Sequence, residues 1–108
     1  MKIAVSSTGG SMSAQVDERF GRCAYFVVVD SETMKFTAFA NPASELSGGS
    51  GPAAVREIAK HGAEVILTGR MGVNAQQALQ ASEIKIVEGS AGTVKEAIVK
   101  YLKSQSQI

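Results

Sequence analysis

The chain has 108 residues, of which 44% are hydrophobic and 19% are charged, and its formal net charge is +1. These values predict one folded domain over residues 1–108 and exclude a disordered chain or a broad nucleic-acid-binding surface. No apolar run approaches the roughly 20 residues of a membrane span, and the single cysteine excludes an internal disulfide. Because Met1 leads directly into a strand pattern, we expect no signal peptide and a cytoplasmic location.

In chain order, the hydrophobic pattern predicts an α/β protein in which strands alternate with helices after an initial hairpin. The predicted strands lie at 2–6, 24–30, 35–40, 64–68 and 84–88, and the predicted helices at 51–61, 73–81 and 93–103. The turn at 31–34 is short enough to make the second and third strands antiparallel. We expect Ser50 to cap the first helix, and Thr93 and Glu96 to form a capping box at the last one. The polar loop at 41–50 is predicted to be mobile.

The predicted strand directions bring most of the glycines to one edge of the sheet. Right-handed crossovers make the fourth and fifth strands parallel to the first. The loops that follow the first, third, fourth and fifth strands, and the loop entering the second strand, then share an edge that holds ten of the eleven glycines. Arg19, Arg22 and Arg70 lie at the same edge. In open α/β sheets, ligands bind beyond the carboxyl ends of the strands, so this edge is the predicted site.

Glycine loops, helix N-termini and guanidinium groups together favour a compact anion. The alternative is that the glycines serve tight turns and the arginines solvate the surface. The predicted cofactor-binding residues are Ser7, Thr8, Gly9, Gly10, Arg19, Phe20, Gly21, Arg22, Gly69, Arg70, Met71, Gly72, Gly89, Gly92 and Thr93.

The sequence contains no convincing match to more specific nucleotide-binding or catalytic motifs. Residues 49–54 match GxGxxA only formally, because no strand directly precedes them, and no P-loop lysine is present. His61 is the only histidine and is predicted at the opposite edge, which excludes a Ser-His-Asp triad. Cys23 lies next to Arg22 at the glycine edge, so we consider it as a metal contact, although one thiol cannot hold an iron–sulfur cluster alone. An ordinary structural role for Cys23 stays open.

Five segments resemble a known family in order along essentially the whole chain. They are IAVSSTGG near the N-terminus, ERFGRCAYF from Glu18, Asn41-Pro42, ILTGRMG from Ile66, and GTVKEA from Gly92. The chain resembles the dinitrogenase iron–molybdenum cofactor biosynthesis family, which includes small nitrogenase cofactor carriers and the molybdenum–copper orange protein. The resemblance implies a ribonuclease H-like, three-layer α/β/α fold with a five-stranded mixed sheet of order 3-2-1-4-5, in which strand two is antiparallel.

The resemblance also implies a function. In nitrogenase-associated members a histidine linked with cofactor handling typically precedes Phe-Gly, whereas this chain has Arg19 before Phe20. This departure favours holding an anionic cluster by charge. We expect a non-enzymatic binding or carrier protein for a molybdenum- or iron-containing metal–sulfur cluster, which can purify without its cargo and whose partners include cofactor-assembly proteins. The alternative is a regulatory or interaction module that binds a small organic or phosphate-bearing anion without metal. Nuclease activity by fold analogy ranks third, because a fold does not confer a function.

Overall fold

The computed structural model describes residues 1–43 and 49–106. The strands are β1 (Lys2–Ser7), β2 (Tyr25–Asp30), β3 (Phe36–Ala40), β4 (Val65–Leu67) and β5 (Lys85–Val87), and the helices are α1 (Ser50–Lys60), α2 (Val73–Ser82) and α3 (Val94–Ser106). Every predicted element is therefore present, with small shifts at its ends. Among the described residues, no helix is both long enough and apolar enough to cross a membrane.

The five strands form one mixed sheet in the order β3-β2-β1-β4-β5. Strand β2 is antiparallel to both β1 and β3, whereas β4 and β5 run parallel to their neighbours from β1 outwards. The hairpin and the parallel crossovers predicted from the pattern are confirmed, as is the strand order implied by the family resemblance.

Each face of the sheet is covered by its own hydrophobic core. Because successive strand residues point to opposite faces, β1 and β4 supply side chains to both cores and are buried almost throughout. The core under α1 and α2 includes Phe20, Phe26, Ile58, Ile66 and Leu79, and the core under α3 includes Ile3, Val5, Val27, Leu67 and Ile98. The result is the predicted three-layer arrangement.

The long segment between β1 and β2 folds back across the carboxyl edge of the sheet. The Asp17 N–H donates to the Ser6 carbonyl at 2.8 Å. The segment then crosses the loop after β4, where an ideal Cβ on Gly69 would lie 2.6 Å from the Glu18 Cα. Only glycine permits this crossing without a backbone shift. The crossing pairs Arg19 with Arg70 in a parallel bridge, which the Arg70 N–H secures by donating to the Glu18 carbonyl at 2.7 Å.

Two local predictions concern the segment before α1. The prediction that Ser50 caps this helix is wrong, because Gly49 is the N-cap and Ser50 is the first helical residue. Gly49 has φ of 71°, a left-handed conformation that glycine adopts without strain. The predicted mobility of residues 41–50 falls partly on residues 44–48, which lie outside the described residues.

Candidate anion-binding cleft

A cleft of about 420 Å³ opens at the carboxyl edge of the sheet. It lies where the loop before β2 meets the N-termini of α1 and α2. Its lining residues are Arg19, Phe20, Gly21, Arg22, Gly49, Ser50, Gly51, Pro52, Arg70, Met71, Gly72, Val73, Asn74 and Ala75. Seven of these, Arg19–Arg22 and Arg70–Gly72, belong to the set predicted from sequence.

Small residues allow the three walls of the cleft to meet. An ideal Cβ on Gly21 would lie 3.0 Å from both the Gly51 nitrogen and the Ser50 Oγ. A Cβ on Gly51 would lie 2.9 Å from the Ala75 Cβ, which is closer than real Cβ atoms approach. Larger side chains at these positions would separate α1 from α2 or push away residues 19–22, which we call the arginine loop. Gly21, Gly51 and Ala75 therefore fix the width of the cleft.

Among the described residues, none provides a side-chain cap at either helix N-terminus of the cleft. Helix α1 begins after Gly49 and α2 after Gly72, and neither helix has an acidic residue in its first turn. The first N–H groups of a helix have no intrahelical acceptor, and the helix dipole adds partial positive charge there. Two helices thus present hydrogen-bond donors and positive potential to one cavity, an arrangement suited to an anion.

The N-terminus of α3 is different because its own side chains cap it. The Thr93 N–H donates to the Glu96 Oε1 at 2.9 Å, and the Glu96 N–H donates to the Thr93 Oγ1 at 3.1 Å. This reciprocal pair is the predicted capping box, and it is confirmed. The next two amides, those of Val94 and Lys95, donate to backbone carbonyls of the segment between β1 and β2. The donors at this helix start are already in use.

The arginines add full charges to the cleft. Arg19 and Arg70 are brought together by the backbone bridge between them, and both are exposed. The Arg19 Nε lies 3.8 Å from the Asp17 Oδ1, a loose contact for a side chain that is 59% exposed. Within the described ranges, Arg70 forms no ion pair. Adjacent like charges repel each other, so an anion between them would relieve that repulsion.

The remaining predicted residues lie at the same edge of the sheet but outside the cleft lining. They are Ser7, Thr8, Gly9, Gly10, Gly69, Gly89, Gly92 and Thr93. Several already use their polar groups within the protein: the Ser7 hydroxyl donates to the Gly9 carbonyl at 2.6 Å, and the Gly89 N–H donates to the Gly69 carbonyl at 2.8 Å. These loops form the edge of the sheet next to the cleft, and the bond from Gly89 holds Gly69, the residue before Arg70 of the lining.

Seven lining residues were missing from the predicted set, namely Gly49–Pro52 and Val73–Ala75. A signal for them was available, because each group opens a predicted helix. What the sequence does not reveal is which of the three helix starts face a common cavity. That choice depends on the contact of Gly51 with Ala75, two residues far apart in the chain.

The sequence matches a family model described as dinitrogenase iron-molybdenum cofactor over residues 1–104. The chain belongs to the dinitrogenase iron-molybdenum cofactor family. The resemblance noted from the sequence segments is thereby confirmed. No curated protein matches the chain.

Solved structures agree with membership of the dinitrogenase iron-molybdenum cofactor family. The apo form of the orange protein from Desulfovibrio gigas is 45% identical, with a TM-score of 0.92 over 96% of this chain and 88% of that one. A putative NifB protein from Thermotoga is 30% identical, with a TM-score of 0.83 over 96% of this chain and 89% of that one. The fold of this family member is therefore shared over nearly its whole length.

The residues that surround the cleft fit an anionic group held by charge rather than by side-chain ligation. Among the described residues of this family member, no three His, Cys, Asp or Glu side chains cluster in a way that could hold a metal ion. His61 lies at the C-terminus of α1, where its ring stacks on Phe39 with centroids 4.0 Å apart. The donors that line the cleft are guanidinium groups, backbone N–H groups, the Ser50 hydroxyl and the Asn74 side-chain amide.

Cys23, the predicted metal contact, lies beneath the cleft and does not line it. Its side chain is fully buried, and this burial raises the pKa of the thiol to about 12. A metal ligand is a thiolate, so both the position and the protonation of Cys23 favour a structural role in the absence of ligand. Metal contact by Cys23 stays a prediction.

Proposed function

We propose that this protein binds and carries a compact anionic metal–sulfur cluster, or an iron–molybdenum-type cofactor, in the cleft, and that it does so without catalysis. The observation that carries the proposal is the convergence of two uncapped helix N-termini and three arginines on one cavity. The family description supports the choice of an iron–molybdenum cargo over other anions. The proteins that deliver and receive the cargo would be cofactor-assembly proteins.

Charge is the main source of affinity in this proposal. A charge-assisted hydrogen bond contributes about 1.5–3 kcal/mol, more than a neutral one. The described residues leave the cleft open to solvent, so in this proposal an anion can be taken up and released without unfolding of the domain. Both properties suit a carrier, which has to give up its cargo.

The alternative function is a regulatory or interaction module that binds a small organic or phosphate-bearing anion without metal. The same two helix N-termini favour this candidate, because phosphate binding at uncapped helix starts is common. The two functions differ in the ligand that they select, so a comparison of ligands distinguishes them.

The first test is a thermal-shift titration with tetrathiomolybdate and, in parallel, with inorganic phosphate. A ligand that binds only the folded state raises Tm by mass action. We expect tetrathiomolybdate to raise Tm and Arg70→Ala to weaken its binding roughly ten-fold to a hundred-fold, as expected for one lost charge-assisted contact. Without ligand, Arg70→Ala should leave Tm unchanged or raise it, because the variant relieves the repulsion from Arg19.

Arg56→Ala is the matched control, since Arg56 is an exposed arginine of α1 that does not line the cleft. Its binding curve should superimpose on that of the unmodified protein. Cys23→Ala should retain most of the affinity. If Cys23→Ala abolishes binding while Arg70→Ala is mild, the cargo is held by ligation and the charge-based proposal is wrong. A shift with phosphate alone would favour the alternative function.

A further inference from the structure

A buried amide side chain joins the walls of the cleft from below. Asn41 directly follows β3 and is 4% exposed. Its Nδ2 donates to the carbonyl oxygens of Gly21 and Cys23, each at 3.1 Å, and its Oδ1 accepts a bond of 3.0 Å from the Ala43 N–H. Both polar atoms of the amide are therefore engaged, with two different segments of the chain.

The bond to Gly21 acts directly on the cleft. Gly21 stands between Arg19 and Arg22 in the chain and rests against the first turn of α1, where its ideal Cβ would lie 3.0 Å from the Gly51 nitrogen. A displacement of Gly21 would shift Arg19 and Arg22 and would also change the packing of this loop against α1. Asn41 is the side chain that fixes the Gly21 carbonyl in place.

The bond from Ala43 acts on the other side of Asn41. The Oδ1 accepts from the amide two residues further on, which is an Asx turn at the end of β3. One amide group thus fixes the turn at residues 41–43 and holds the loop that contains Gly21. A carboxylate could keep the bond from Ala43, but it would supply no donor for the two carbonyls.

We propose that Asn41 is a positioning residue of the cleft, which holds the Arg19–Arg22 wall at the spacing from α1 that anion binding requires. This inference rests on the proposed function, and nothing in it requires Asn41 to touch the ligand. Asn41 acts by donating hydrogen bonds to the Gly21 and Cys23 carbonyls, below the lining of the cleft.

The test compares Asn41→Asp with the unmodified protein by isothermal titration with tetrathiomolybdate, at a temperature where both are fully folded. We expect the affinity to fall roughly ten-fold, the usual lower range for the loss of a group that orients direct contacts. The dependence of the affinity on salt should also become weaker, because the displaced arginines contribute less charge.

Val29→Ala is the matched control: Val29 is buried in the core under α3, so this variant loses stability without touching the cleft. Equal affinities of Asn41→Asp and Val29→Ala would overturn the inference.

A second measurement needs no ligand. The Phe20 N–H donates to the Arg70 carbonyl at 3.2 Å, so its hydrogen exchange reports whether the arginine loop stays docked. Asn41→Asp should accelerate exchange at Phe20 relative to exchange at Asp17, whose N–H is bonded to Ser6. Unchanged relative exchange would refute the positioning role whatever the titration shows. If the unmodified protein binds no anion but exchange at Phe20 responds, the proposed function fails and the structural effect of Asn41 stands. Asn41→Ala, which adds no charge, repeats the test if Asn41→Asp does not fold.

Discussion

The proximity of Arg19 and Arg70 originates at a single missing side chain. Gly69 lets the backbone of Glu18 pass at a distance that any Cβ would block, and the bridge between the two arginines follows from that crossing. A protein that needed only stability gains nothing from placing two positive residues side by side. Their placement is understandable if the cavity beside them receives a negative charge, since functional sites commonly retain locally unfavourable arrangements.

Cys23 gives a prediction about pH. Burial keeps the thiol protonated in the folded protein, where its pKa is raised to about 12 from an ordinary value of 9.0. Above pH 9 the unfolded chain therefore binds fewer protons than the folded one, and the free energy of unfolding falls as the pH rises towards 12. We expect the free energy of unfolding, measured by urea denaturation, to fall less steeply between pH 9 and pH 12 for Cys23→Ala than for the unmodified protein. Parallel declines would show that the thiol ionises freely in the folded state, which would revive Cys23 as a ligand.

At the scale of elements, the three helices divide into two classes at their N-termini. Helix α3 has a capping box, whereas α1 and α2 begin at glycines without a side-chain cap. Within the part of the chain that the structure describes, a cap worth about 1 kcal/mol is thus absent at the two helix starts that face the cleft. The capped helix is the one whose donors do not line it.

Thr93→Ala tests this division. Removal of the Thr93 Oγ1 leaves the Glu96 N–H without its cap, so the free energy of unfolding should fall by about 1 kcal/mol in urea denaturation. The affinity for tetrathiomolybdate should not change, because Thr93 does not line the cleft. A loss of affinity as large as that of Arg70→Ala would place the start of α3 in the binding site after all.

For the whole molecule, the sequence predicted the elements and the edge of the sheet better than the cleft itself. Strand and helix periods are local, and the hairpin between β2 and β3 together with right-handed crossovers determines the directions of all five strands. The cleft instead depends on contacts between distant residues, such as Gly21 with Gly51 and Gly51 with Ala75. Nothing in the local pattern distinguishes Gly51 from a glycine that only makes a turn. The sequence places Asn41 in the Asn41-Pro42 motif, but it does not predict that its side chain binds the Gly21 and Cys23 carbonyls.

The charge distribution of the whole chain leads to the last prediction. The net charge is only +1, yet three of the four arginines line one cleft, so the positive potential is local. Raising the ionic strength from about 0.01 M to about 0.15 M shortens the Debye length from about 30 Å to about 8 Å. The affinity for tetrathiomolybdate should therefore fall with added salt, and it should fall less steeply in Arg70→Ala. Isothermal titration across this range measures both slopes.

A polyanion is the control for this experiment. Double-stranded DNA needs a row of basic residues along an extended surface, whereas the cleft concentrates its charge in a volume of about 420 Å³. We expect fluorescence anisotropy to detect no binding of labelled duplex DNA at about 0.15 M salt, under which tetrathiomolybdate still binds. Comparable binding of both would show that the arginines form a general anionic-surface contact. An affinity for tetrathiomolybdate that does not respond to salt would instead indicate a coordinate bond, because coordination does not depend on the screening of separated charges.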